Sequence, residues 1–308
     1  MRHYGGSFFH VGGHSPILRI ALSVLSIASV AACSKLGIGD KSPTAPSPPS
    51  AGSTIVYTAV GASDAIGIGA SVECGFLAAT CPNGTGYVPV TVRQLTAQGF
   101  TVNSQNLGIP TAVIGRDFQT LGLQYNRIIA GNFIEQEMPF VQTSATVVTV
   151  FAGVNEVNTV TAALGAGAGG SDPNAYMDAQ VRAFGTDYTT LATGIKGRAG
   201  SARIIALNVP NAAGLPYLAG ASLAQRQAAQ RIAVGMTRTV VNALTAQNVT
   251  VVDLMCDTRS YIASNYSGDG LHPNDAGYAF IAAEVVRAIT SSSYPSPQSS
   301  CSGMTIVP

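Results

Sequence analysis

Thr146-Val147-Val148-Thr149-Val150-Phe151-Ala152 (TVVTVFA) is a nearly unbroken run of apolar and β-branched residues. A strand with this composition belongs in the middle of a sheet, covered on both faces. The neighbouring segments repeat the theme. Ile55–Gly61 (IVYTAVG) reads as a first strand broken by glycine, and Phe100–Leu107 as a second. Ala202–Val209 (ARIIALNV) is a fourth, stopped by Pro210, and Val249–Met255 (VTVVDLM) a fifth. Between them lie helical stretches. Val88–Gly99 ends on a glycine C-cap, Pro173–Arg198 follows Ser171 or Asp172 as N-cap, and Ser222–Gln247 and Asn274–Thr290 complete the set. Strands alternating with helices predict an α/β domain with a five-stranded parallel sheet covered on both faces. Ligands of such sheets bind at the carboxyl ends of the strands, so chemistry is sought there.

The N-terminal residues have a different character. Arg2 and Arg19 precede residues 20–32 (IALSVLSIASVAA), which are apolar and small throughout. The run is too short to span a bilayer, and it has the layout of an export signal. Val30-Ala31-Ala32-Cys33 resembles the lipobox of bacterial lipoproteins, which implies lipidation of Cys33 and a lipid-anchored location in the cell envelope. Residues 34–54, rich in Pro, Ser and Gly, read as a tether. Residues 55–308 are left as the folded domain. With 10% charged residues, a net charge of +1 and no Lys/Arg cluster, nucleic acid is excluded as a partner. Lipidation of Cys33 leaves Cys74, Cys81, Cys256 and Cys301. An even number in an oxidising compartment suggests two disulfides, with Cys74–Cys81 and Cys256–Cys301 the expected pairs, although the sequence leaves the connectivity open. There is no CxxC, so no metal site is expected.

Of the four histidines, His3, His10 and His14 lie in the signal segment, leaving His272 to the mature chain. It stands in a loop, Ser267-Gly268-Asp269-Gly270-Leu271-His272-Pro273-Asn274, that runs into the last helix. Asp269, three residues earlier, is spaced to reach the imidazole across a turn and hold its tautomer. A base of this kind needs a nucleophile. Ser63 follows Gly61-Ala62 at the carboxyl end of the first strand, where a hydroxyl beside an imidazole becomes reactive. A serine there also suits a plain helix cap, and its pairing with Asp269 and His272 decides for chemistry. Gly108 after the second strand and Asn155 after the third could donate to a developing oxyanion; each also suits a structural turn or cap. The glycine-rich run 165–170 lacks the G-x-G-x-x-G spacing and the strand-to-helix setting of a pyrophosphate site, and reads as a loop.

Four blocks in order resemble the SGNH/GDSL hydrolases: Gly61-Ala62-Ser63-Asp64, Gly108, Gly153-Val154-Asn155-Glu156 and Asp269-Gly270-Leu271-His272-Pro273. The resemblance implies a flavodoxin-like three-layer fold and a Ser63–His272–Asp269 triad. It also implies an oxyanion hole from Ser63 N–H, Gly108 N–H and the Asn155 side chain, with no cofactor. The implied activity is a serine esterase or lipase acting on small-molecule or polysaccharide-linked esters. Two positions depart from the family pattern. Ala62 stands where aspartate usually precedes the serine, and Glu156 where aspartate follows the asparagine; Asp64 is a candidate to replace the first. Specificity is expected from loops around 74–86, 109–140, 156–172 and 210–221. The competing readings are a non-catalytic carbohydrate-binding or adhesion lipoprotein on the same fold and, last, a solute-capture lipoprotein, which would need two α/β lobes.

Overall fold

The computed structural model describes residues 46–308 except 77, 79 and 80, and, within one helix, not the side chains of 241–243. The expected export signal, Cys33 and most of the expected tether lie outside the described residues. Five strands form one parallel sheet: β1 (Thr54–Gly61), β2 (Thr101–Asn106), β3 (Val147–Phe151), β4 (Arg203–Leu207) and β5 (Thr250–Val252), in the order β2-β1-β3-β4-β5. Every residue of β3 and β4 is buried, as a doubly covered central strand requires. β2, with the polar sequence TVNSQN, is the partly exposed edge.

The helices are α1 (Ser63–Ile66), α2 (Tyr87–Ala97), α3 (Arg116–Gln124), α4 (Phe133–Gln136), α5 (Val154–Gly165), α6 (Pro173–Arg198), α7 (Leu223–Thr245) and α8 (Asp275–Thr290). α2 packs on α8 to make one covering layer; α3, α5, α6 and α7 pack among themselves to make the other. None of the described helices is long and apolar enough to cross a membrane. Caps set the helix starts. Asp172, rather than Ser171, caps α6 by accepting from Ala175 N–H, and Ser222 forms a capping box with Gln225 at α7. Both expected disulfides, Cys74–Cys81 and Cys256–Cys301, are present.

β5 is shorter than the sequence suggests. The reason is Asp253, whose carboxylate accepts from Asn208 Nδ2 at 2.8 Å, from Cys256 N–H at 3.2 Å and from Gln298 N–H at 2.9 Å. Those bonds turn the chain out of the sheet after Val252. The helices α1 and α4, four residues each, are too short to carry a periodicity, whereas α3 is amphipathic and buries Phe118 and Gly122, four residues apart.

The strand order decides where the site falls. The chain steps outward from β1 to β2, then returns past β1 to β3, so the carboxyl ends of β1 and β3 flank the point where the winding reverses. Gly61 is in register with Phe151 across that seam. In doubly wound sheets ligands bind in this crevice.

Candidate active site

β1 ends at Gly61, and Ser63 opens α1. The first amides of a helix have no intrahelical carbonyl to bond, so the Ser63 N–H belongs to a set of donors open to a ligand. The base comes from the other end of the chain. A bridge between Tyr266 and Pro273 and a bond from Ser267 N–H to His272 O (2.8 Å) close the loop that carries Asp269 and His272. Asn274 fastens the loop to α8: its Oδ1 accepts from Ala276 and Gly277 N–H, and its Nδ2 donates to Ser264 O and Tyr266 O.

These two segments, 209 residues apart in sequence, bring Ser63 Oγ to 2.8 Å from His272 Nε2. His272 Nδ1 lies 2.5 Å from Asp269 Oδ2. The other carboxylate oxygen, Oδ1, accepts from Ser267 Oγ (2.8 Å), Leu271 N–H (2.8 Å) and His272 N–H (2.9 Å). Partial burial by itself would raise the Asp269 pKa. The bonds from the His272 ring, the two backbone amides and Ser267 outweigh it and hold the group at about 2. Asp269 is therefore a carboxylate throughout the neutral range, with one oxygen committed to the loop and the other to the imidazole. The arrangement places the Nδ1 proton toward Asp269 and the Nε2 lone pair toward the serine hydroxyl.

On the β3 side, Gly153 takes φ 131°, and a Cβ there would come within 2.8 Å of Val209 Cγ1, so only glycine makes this turn. The next turn of chain delivers Asn155, whose Nδ2 donates one proton to Ala112 O at 2.9 Å. That bond orients the amide and leaves its second proton for another acceptor. Gly108 also has to be glycine, since a Cβ would lie 2.8 Å from Ala65 Cβ. Here the structure corrects the expectation of an open donor. The Gly108 N–H donates to Asn106 Oδ1 at 3.0 Å, while Asn106 Nδ2 donates to Ala65 O at 2.6 Å. Gly108 thus reaches an oxyanion only by sharing its proton or after Asn106 turns away. No signal in the sequence points to this, because Asn106 reads simply as a strand residue.

The two departures from the family pattern have structural answers. Asp64 meets the Tyr278 hydroxyl at 3.5 Å, and the Gly61 amide at the start of the turn goes to another partner. Glu137, unmarked in the sequence, does the fastening instead. Its buried Oε2 accepts from Gly61 N–H at 2.8 Å. Gly61 O in turn accepts from Ile109 N–H at 3.2 Å, and the two bonds tie the tip of β1 to the loop that begins at Gly108. Glu156, one methylene longer than aspartate, reaches the Ile114 N–H (2.5 Å) and anchors that same loop to α5.

Burial raises the Glu156 pKa to about 7, against the pull of the bonds from its own backbone, Ile114 and Gly153. Its unfolded value is close to 4.5. Between those two pH values the unfolded chain has released a proton that the folded chain keeps, so stability falls as pH rises through the interval. At 1.36 kcal/mol per unit the loss from this group is roughly 3 kcal/mol. Glu156→Gln keeps an Oε1 acceptor for Ile114 and cannot titrate. Urea unfolding at pH 4.5 and pH 8 is expected to show a drop in stability smaller in the variant than in the parent by about that amount. Identical slopes would remove Glu156 from the account.

The chain resembles known proteins in sequence and in fold. A model of the GDSL-like lipase/acylhydrolase family matches residues 59–280. No curated protein matches the sequence. Among solved structures, a lipase from a goat rumen metagenome superposes with a TM-score of 0.51 at 17% identity, covering 77% of this chain and 98% of the lipase. Phospholipase A1 from Streptomyces albidoflavus NA297 gives 0.50 at 18% identity, covering 79% and 100%. An extracellular lipase from Streptomyces rimosus gives 0.50 at 14% identity, covering 77% and 100%. At these identities the likeness speaks for the fold.

Proposed function

The chain belongs to the GDSL-like lipase/acylhydrolase family, and from that premise we propose that it is a serine carboxylester hydrolase whose acyl-enzyme forms on Ser63. The observation that carries the reading is the continuous line Ser63 Oγ–His272–Asp269, with contacts of 2.8 and 2.5 Å. His272 Nε2 takes the proton as Ser63 Oγ attacks the ester carbonyl. The resulting imidazolium is stabilised by the Asp269 carboxylate, which stays ionised. The free proton of the Asn155 amide and the Ser63 N–H receive the developing negative charge, with Gly108 as a shared third donor; one such donor is worth about 3–4 kcal/mol of barrier. The imidazolium returns its proton to the departing alkoxide, and an alcohol leaves. Water then attacks the acyl-enzyme with His272 again as base, releasing the carboxylic acid and restoring the serine.

A fluorophosphonate probe tests this directly. Stoichiometric phosphonylation of Ser63, located by peptide mass spectrometry, is the expected result. A folded protein left unlabelled would point instead to a binding protein built on a hydrolase fold, the competing reading of the sequence.

A further inference from the structure

The other buried and half-buried arginines among the described residues spend their protons. The buried Arg203 donates to Ala288 O, Pro46 O and Ser291 O, and the half-buried Arg226 to Ala213 O. Arg259 pairs with Asp257 and Glu284. Arg127 is different. It is half-buried, its Nε is out of reach of solvent with no hydrogen-bond partner, and no carboxylate among the described residues forms an ion pair with it. A guanidinium stays charged under any physiological condition, so a partly desolvated one without a counterion is a standing cost to the fold.

Its surroundings tie it to the candidate active site. The turn that carries it packs on α5, where Gly122 faces Ile129 and Thr159, the residue next to Asn158, and Tyr217 acts on it electrostatically. Tyr217 spans two site-forming segments. Its backbone N–H donates to Gly270 O (3.1 Å), next to Asp269, and its hydroxyl donates to Asn158 Oδ1 (3.0 Å), one helical turn beyond Asn155 on α5. Arg127 itself is held where α3 ends. Asn126 takes φ 58°, and the Arg127 N–H bonds back to Gly122 O at 2.9 Å. Arg127, Asn158 and Tyr217 come from three of the four segments from which specificity is expected.

We propose that Arg127 is the anchor for an anionic group, carboxylate or phosphate, carried by the ester substrate, with Tyr217 and Asn158 setting its position beside the Ser63–His272 pair. This rests on the hydrolase reading above and adds the substrate class to it. The planar fork of the guanidinium suits two-point binding of either anion, and the substrate's charge supplies the counterion that the fold omits.

The experiment compares matched esters on the intact protein. One arm sets p-nitrophenyl hemiglutarate, with a carboxylate on the acyl side, against neutral p-nitrophenyl valerate. The other sets lysophosphatidic acid, with a phosphate on the alcohol side, against the corresponding monoacylglycerol. The parent enzyme is expected to favour the anionic member of at least one pair, with a preference that weakens as salt is added. Arg127→Gln should lower kcat/KM for that member at least tenfold, mostly through KM, and change the neutral member less than twofold. Arg127→Lys, which keeps the charge and loses the fork, should fall between. Should Arg127→Gln not fold, the lysine variant and the salt series decide. Equal turnover of both members of both pairs by the parent, or equal losses on anionic and neutral esters in the variant, would overturn the proposal. Ser63-dependent hydrolysis of the neutral esters would then leave the hydrolase reading standing; no hydrolysis of any ester and no fluorophosphonate labelling would remove that reading as well.

Discussion

Ser63→Ala and His272→Ala are each expected to lower kcat toward p-nitrophenyl acetate by about 10⁶-fold, and the double variant by no more than either alone. The non-additivity is the informative part. Proton transfer and attack are one event along the 2.8 Å contact between Oγ and Nε2, so removing either partner removes the whole event. Both variants should keep the fold. The Ser63 hydroxyl is half-buried with His272 as its partner, and the loop bearing His272 is closed by backbone bonds and by Asn274, none of which involves the ring. Circular dichroism and urea unfolding alongside the kinetics separate lost chemistry from lost structure. Wild-type turnover in both folded variants would end the assignment.

Asp269→Asn is expected to reduce kcat by about 10⁴-fold with the loop intact. The reasoning is one of tautomers. The asparagine Oδ1 can keep the three bonds from Ser267, Leu271 and His272 N–H that Asp269 Oδ1 accepts. That leaves the amide NH₂ facing His272 Nδ1, the position now held by Oδ2 at 2.5 Å. An NH₂ there donates to Nδ1 and drives the ring proton to Nε2, so the imidazole presents a donor to Ser63 where it needs an acceptor. Asp269→Ala removes the wrong donor along with the carboxylate and should be less damaged in tautomer but looser in the loop. A loss below tenfold for Asp269→Asn would show that the carboxylate is not needed to set the ring.

The hydrolase fold needs both a local and a distant ingredient, and the sequence displayed them unequally. The apolar runs at β1, β3 and β4 record burial on both faces of a strand, and Ser222 and Asn274 mark helix starts through the chemistry of their own side chains. Signals of that kind involve residues close together in the chain, so the alternation of strands and helices and the residues standing at strand ends could be read from it, whereas the pairing of Cys256 with Cys301, 45 residues apart, was an expectation that the structure decided. The N-terminal signal and Cys33 remain a matter of sequence alone, since they lie outside the described residues.

What the sequence by itself determined is thus the five strands, the helices α2, α6, α7 and α8, and the chemistry available at the strand tips. The tertiary structure alone decided the order β2-β1-β3-β4-β5, which sets the ends of β1 and β3 side by side. It also decided three local matters: Glu137 fastens the turn at Gly61; Asn106 occupies the Gly108 amide; and Arg127 has no counterion among the described residues. The physical reason is range. Periodicity and capping preferences are written within a few residues, whereas strand order, shared protons and unpaired buried charges arise only when segments scores of residues apart compete for the same space and the same hydrogen-bonding groups.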